Sequence, residues 1–448
     1  MDNKTVKSES TPLVKKDQSG FVQLMKSFAL LKDSPRDLFI TIPIIILMTS
    51  TYQTLMIVST LYMIEIWDFS DLLAGFIFAS YGIVGTFYCF VVGTIPDWLG
   101  VKTTYILISL MCLTGYLMLV FIPQPVIQII TLLFIILSAN LAFLACHKLA
   151  IAKLTTIQTR PAGFSLYNAL VHVSGLMSGI YTDLILSLNG ENRLSFQLIF
   201  GICALCFLLA LFLSLALSRT NLHEEEINKK SESLVSMLKE IYVLKRFWRL
   251  LTLILLTVII RTAFVHSMAT LPIYMNREMG SDSHYGYVFA IESIFLIIFS
   301  LTMTFIVYYM SLYSTLIVAG TISTAAPLVL VFGASYWTVF TFAILAGLGE
   351  SICTPRMIEY TKQVALQGRE GVFLSLNTIS LVLSLTVAGF SSGWFLGEFC
   401  PDDGERECWA MWYLISGICL AGTLLMVFLR EYIEQPKDEL QPNCCNRD

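Results

Sequence analysis

Residues 194–217 read LSFQLIFGICALCFLLALFLSLAL, 24 positions in a row without a charged side chain. At 1.5 Å per residue the stretch makes a helix of about 36 Å, enough to cross the roughly 30 Å hydrocarbon core of a bilayer. In water such a helix would have no polar face to turn outward. Its solvent is lipid, and the rest of the chain agrees. Hydrophobic residues make up 56% of the sequence and charged residues 13%, against about 25% charged in soluble domains. The formal net charge of −4 carries less information than the places where the charges sit.

Eleven further stretches have the same character. Those before it are Leu38–Met63, Leu72–Ile95, Thr103–Ile122, Val126–Leu149 and Ala162–Leu188. Those after it are Trp248–Met275, Tyr285–Tyr309, Leu312–Phe332, Tyr336–Ile358, Gly371–Leu396 and Trp409–Leu429. The junction at Tyr308–Ser314 has no charge to mark it. The expected fold is an all-α membrane protein of twelve transmembrane helices. It divides into a tail (1–37), a six-helix bundle (38–217), a linker (218–247), a second six-helix bundle (248–430) and a tail (431–448). No signal peptide precedes the first span, which is therefore expected to act as its own insertion signal.

Of the 28 Lys and Arg residues, 24 fall on the side of the termini and three, Arg193, Arg277 and Arg406, on the other; Arg261 lies inside a span. Short cytoplasmic segments collect Lys and Arg, so both termini and the linker are expected in the cytoplasm. The linker contains the acidic run His223-Glu-Glu-Glu226, and Leu234–Phe247 alternates apolar and basic residues as a membrane-surface helix does. Gly175 and Gly179, and Gly389 and Gly393, are small residues four apart, which let helices pack closely.

Seven of the eleven cysteines are single residues within spans and read as small apolar packing groups. Cys400 and Cys408 flank an acidic loop on the side opposite the termini; in an oxidising compartment they form a disulfide, in a reducing one they stay free. Cys444 and Cys445 are weak candidates for palmitoylation. Glu9-Ser-Thr-Pro-Leu13-Val14 reads either as a degenerate acidic dileucine sorting signal or as an arbitrary tail sequence. The membrane is accordingly expected to be the plasma membrane or an endosomal or lysosomal one. The sequon at Asn3 falls on the cytoplasmic side.

The second and third spans are joined by Gly93-Thr-Ile-Pro-Asp97-Trp-Leu-Gly100-Val-Lys102. This resembles the major facilitator superfamily signature G-x-x-x-D-x-x-G-x-[RK]. The resemblance implies a gating motif: the glycines allow a tight turn and close helix approach, Asp97 meets positive groups or a helix N-terminus across the domain interface, and Lys102 pairs with a carboxylate of its own half. A narrower resemblance, concentrated after residue 260, rests on Gly349-Glu350 with Pro355-Arg356, on Leu271-Pro272, on Ser392-Gly393-Trp394 and on Arg160-Pro161-Ala-Gly-Phe164. These look like protist-type facilitators related to the proton-coupled oligopeptide transporters, in which the glutamate matched by Glu350 receives the peptide amino group. The chain departs from that pattern in the first span, which has no charge before Glu65 and so lacks the ExxER coupling motif, and in the fourth, which has no lysine until Lys148.

Charges inside a membrane are costly and mark functional sites by default. Arg261 lies near mid-depth in the seventh span, Glu350 at comparable depth in the tenth, Glu292 one to two turns into the eighth, His172 mid-way along the fifth, and His266 five residues after Arg261. Asp183 lies near the end of the fifth span. Two readings stand side by side: an internal ion pair within one half, such as Arg261 with Glu292, or groups lining a central cavity. An arginine fork fixes a carboxylate through two parallel bonds, and a glutamate out of water can take up and release a proton. Either histidine can titrate or simply pack. Tyr167, Asn168, Asn140 and Asn377 are polar positions that line the cavity or cap helix contacts.

Together these features imply a secondary active transporter of a small organic solute, peptide or amino-acid-like first, proton-coupled, alternating its access, and working as a monomer in the lipid bilayer. The alternatives are a uniporter or exchanger of another class, such as a sugar or carboxylate, and a transporter-like receptor or partner protein. No cofactor is expected beyond the proton as coupling ion. The sequence contains no nucleotide-binding loop, metal cluster or nucleophile constellation, so neither an enzyme nor an ATP-driven pump is expected, nor a nucleic-acid partner.

Overall fold

The computed structural model describes residues 29–92, 95–156, 159–218, 242, 244–280, 283–307, 310–364 and 370–434. Asn3, Glu9–Val14, His223–Glu226, nearly all of 234–243, Arg369, Cys444, Cys445 and Gly93 lie outside the described residues. The chain forms α1 (Arg36–Glu65), α2 (Asp71–Val92), α3 (Val101–Phe121), α4 (Pro125–Leu154), α5 (Arg160–Asn189) and α6 (Arg193–Leu215). The second half forms α7 (Lys245–Ala269), α8 (Tyr285–Val307), α9 (Leu312–Leu330), α10 (Tyr336–Val364), α11 (Glu370–Phe399) and α12 (Cys408–Phe428). Eleven of these are long and apolar enough to cross a membrane over their described residues; in α8 the stretch Tyr285–Ser300 is the apolar part.

The stretch quoted at the outset shows why they sit in lipid. On α6, Phe196, Ile199, Phe200, Cys203, Phe207 and Ala210 are buried, while Leu194, Leu198, Leu205, Leu209 and Phe212 form an exposed apolar stripe. Such a stripe is tolerated only against hydrocarbon. Local punctuation matches the chemistry. Asn192 caps α6 by accepting from Ser195 N at 3.1 Å, and Ser311 caps α9 by accepting from Ser314 N at 3.2 Å. That cap marks the α8–α9 junction which the sequence leaves without a charge. The seventh span is longer than expected and is broken: α7 ends at Ala269, and a separate helix, Leu271–Met279, starts with Pro272 in its first turn.

Helices α1–α6 and α7–α12 make the two halves. They meet along two seams, α2 against α11 and α5 against α8. The paired glycines lie on both. A Cβ on Gly393 would stand 2.6 Å from the Asp71 carbonyl oxygen, and one on Gly75 would stand 2.7 Å from Gly393 Cα. On the other seam a Cβ on Gly179 would be 2.8 Å from Ala290 N. Here backbone touches backbone, and only glycine permits it.

The face carrying the chain ends is held within each half. The Asp37 carboxylate accepts from Ser218 N and Oγ at 3.2–3.3 Å, and Tyr360 donates to Ile433 O at 2.9 Å. On the opposite face the two halves are tied to each other. Arg277 grips Asp71 through two bonds of 2.7 and 3.0 Å, with side-chain exposures of only 6% and 12%. His284 Nδ1 lies 2.9 Å from Asp183, whose other oxygen accepts from Gly286 N at 3.1 Å. Asn276 donates to Glu191 at 2.7 Å, and Thr60 to Ala269 O at 3.1 Å. Arg277 also donates to Cys400 O at 2.7 Å, at the start of the loop closed by the Cys400–Cys408 disulfide. The structure is thus shut on the face opposite the termini.

Candidate functional site

Arg261, 17 residues into α7, and Glu350, in the middle of α10, face each other. Arg261 Nε donates to Glu350 Oε2 at 2.9 Å and Nη2 donates to Oε1, a two-pronged contact. Thr354, one turn along α10, receives a bond from Nη2 at 3.0 Å and donates to Glu350 Oε1 at 2.6 Å. The pair belongs to one half, but the partner of Arg261 is Glu350 and not Glu292. Pro355 follows at once, removing the N–H that would have closed the next helical turn.

Glu292 stands apart. It is 1% exposed, and its one described hydrogen bond is from Ser267 Oγ at 3.4 Å. His266 is a packed residue. Nδ1 meets Thr270 Oγ1 at 2.6 Å and Nε2 meets Ser391 Oγ at 3.1 Å, while Thr270 donates to Ser392 at 2.8 Å. This network joins the break after α7 to α11.

On α5, Asn168, His172, Gly175, Gly179 and Asp183 recur every three to four residues and share one helical face. Gly179 and Asp183 press that face against α8 of the other half. Toward the terminal face the same surface continues through His172 and Asn168, which are half-buried. Tyr167 points elsewhere: it is buried in the first half, its ring 6.3 Å from that of His147. Asn140 is also interior, accepting weakly from Cys112 Sγ at 3.8 Å, with no described partner for its Nδ2. Asn377 is half-buried on α11.

Lys148 on α4 is exposed, has no described hydrogen bond or ion pair, and lies within electrostatic reach of Arg261 across the divide between the halves. Sequence reasoning placed it near the inner face and out of the site. The signal was present: it is a lysine within an apolar helix, one of two there with Lys153 five residues on.

The gating motif is described in part. Gly100 has φ +76°, a conformation that favours glycine, and opens α3. Asp97 belongs to a short helix, Ile95–Leu99, and its side chain lies outside the described residues. Among the described residues Lys102 pairs with no carboxylate. Its ammonium donates to Leu215 O at 2.8 Å and Leu217 O at 2.6 Å, placing a cation on the free carbonyls at the end of α6.

Residues 253–443 match the sequence model of the Major Facilitator Superfamily. No curated protein matches the chain. Among solved structures, the nucleoside transporter NupG superposes with a TM-score of 0.71 at 13% identity, over 89% of this chain and 100% of that one. A proton-dependent oligopeptide transporter gives 0.71 at 14% identity, over 89% and 99%. A POT family transporter in complex with 5-aminolevulinic acid gives 0.73 at 14%, over 90% and 97%. These likenesses establish the fold, and they do so equally for two substrate classes. With two six-helix halves meeting at α2–α11 and α5–α8, the chain has the fold of these transporters, and its second half matches the sequence model of the Major Facilitator Superfamily.

Proposed function

We propose that the chain is a secondary active transporter of a small solute bearing both a carboxylate and an amine, peptide or amino-acid-like, moved with protons by alternating access. The observation that supports this reading is the buried, two-pronged Arg261–Glu350 pair with Lys148 within electrostatic reach. A zwitterion can exchange into such a pair without leaving a bare charge: its ammonium takes Glu350, and its carboxylate takes the freed guanidinium. Lys148, on the opposite half, adds a second cation for the same carboxylate. The solute then bridges the halves and favours their closure around it. This conformation, tied at the face opposite the termini, is one end of the cycle. The terminal face is the cytoplasmic one on the basic-residue count, which makes this the inward-facing end.

The test is uptake into proteoliposomes holding the full chain. Radiolabelled dialanine, alanine and uridine are offered with and without an inward proton gradient. The expected result is saturable accumulation of an amphoteric solute that collapses on adding a protonophore. Uridine flux alone would replace the reading with a nucleoside carrier, and gradient-independent equilibration would make the chain a uniporter.

A further inference from the structure

Two carboxylates lie in the core of the second half, and their surroundings differ. Glu350 is neutralised by a guanidinium fork and a threonine hydroxyl. Glu292 has only a long bond from Ser267. It sits on α8 about 10 Å below Tyr285, nearer the closed face than Glu350. The elements around it offer no cation. On α5, Asp183 is engaged by His284 and Gly286, and His172 lies farther toward the terminal face. On α7, Arg261 is committed to Glu350, and His266 is held by Thr270 and Ser391. On the helix Leu271–Met279, Arg277 is bound to Asp71, and Glu278 is a further acid. From α10 it is Glu350 that acts on Glu292. An ionised carboxylate in that position would lack both water and counter-charge, a state that costs several kcal/mol.

Its position on the seam supplies the second half of the argument. The next residue, Ser293, faces Gly175 of α5, so Glu292 lies beside the contact that must part when the halves rock. In the conformation described it is buried, and it lies nearer the tied face than the Arg261–Glu350 pair does. We propose that Glu292 is the proton-carrying carboxyl of the transport cycle, and that Glu350 is a fixed member of the solute-binding ion pair. This rests on the coupled-transport reading above. When the α5–α8 seam opens, a Glu292 oxygen gains a proton from a hydronium ion at the opened face. With the solute already exchanged into the Arg261–Glu350 pair, the halves rock back, the O–H bond breaks and the proton passes to water on the terminal side.

The experiment compares wild type, Glu292→Gln, Glu350→Gln and Ser267→Ala in the full chain. Infrared spectroscopy in lipid reads the C=O stretch of a buried protonated carboxyl and needs no substrate. The band is expected in wild type and Glu350→Gln and absent in Glu292→Gln; its persistence in Glu292→Gln would overturn the proposal even if no solute were moved. In proteoliposomes, Glu292→Gln is expected to lower gradient-driven dialanine accumulation by about tenfold or more while leaving exchange within about twofold. If wild type accumulates dialanine and Glu292→Gln does so equally, the assignment is wrong; if wild type does not, it is the transport reading that fails. Should Glu292→Gln fold poorly, Ser267→Ala still decides. Loss of its hydroxyl should move the pH midpoint of uptake and of the infrared band together, and an unmoved midpoint would reject the role.

Discussion

Asp71→Asn tests what holds the structure shut. The Arg277–Asp71 pair is two-pronged, nearly buried, and joins the first half to the second. Breaking a buried pair by removing one partner costs about 3–5 kcal/mol. Here the loss is smaller, because Arg277 keeps its bond to Cys400 O and an asparagine can still accept one bond. About 2–3 kcal/mol remains against the closed face, or about a 30- to 140-fold shift toward the state open on that side. Thr60 reports it. It is 2% exposed and bonded from α1 of one half to Ala269 O at the end of α7 in the other, so a cysteine there reacts with a maleimide only when the face opens. The labelling rate of purified Thr60→Cys should rise by about that factor when Asp71→Asn is added. An unchanged rate in a variant with an unchanged melting temperature would show that the pair does not govern closure.

Gly393→Val should force α2 and α11 apart, since its Cβ would meet the Asp71 carbonyl at 2.6 Å; a destabilisation of about 1–3 kcal/mol should appear as a lower melting temperature and faster Thr60→Cys labelling. Arg261→Lys keeps the charge but loses the fork, so solute affinity should fall by about tenfold or more; affinity equal to wild type would remove Arg261 from the binding site. Tags at either end should resist antibody in intact cells and become accessible on permeabilisation, as the basic-residue asymmetry requires; labelling of unpermeabilised cells would invert the topology.

The spans and the close-packing glycines were legible because a bilayer leaves few alternatives: long apolar runs must be helices, and small residues four apart must face a neighbour. What could not be read was rotation. Arg261, Glu292 and Glu350 were all visible as intramembrane charges, but depth along a helix does not say which way a side chain turns, and Arg261 bonds to Glu350 rather than to Glu292. Tyr167 and Asn168 are adjacent in sequence yet lie on different faces of α5, one inside its own half and one on the surface that continues the α5–α8 seam. Arg277 was counted only as a loop charge, since Asp71 is 206 positions away. The resemblance implied a carboxylate for Lys102, and its described acceptors are the free carbonyls at the end of α6. Lys148 was set aside on depth alone.

The α2–α11 seam has a mechanical consequence. Gly75, Gly389 and Gly393 bring bare backbone against backbone, so the surface offers few interlocking side chains that would have to change rotamer for the halves to roll. It behaves as a plain bearing with little friction of its own. Resistance to motion is then concentrated at the rim, in Arg277–Asp71, Asn276–Glu191 and the Asp183 contacts. A protein built this way can have the speed of its motion retuned through a few rim residues, leaving the bearing and the Arg261–Glu350 pair untouched.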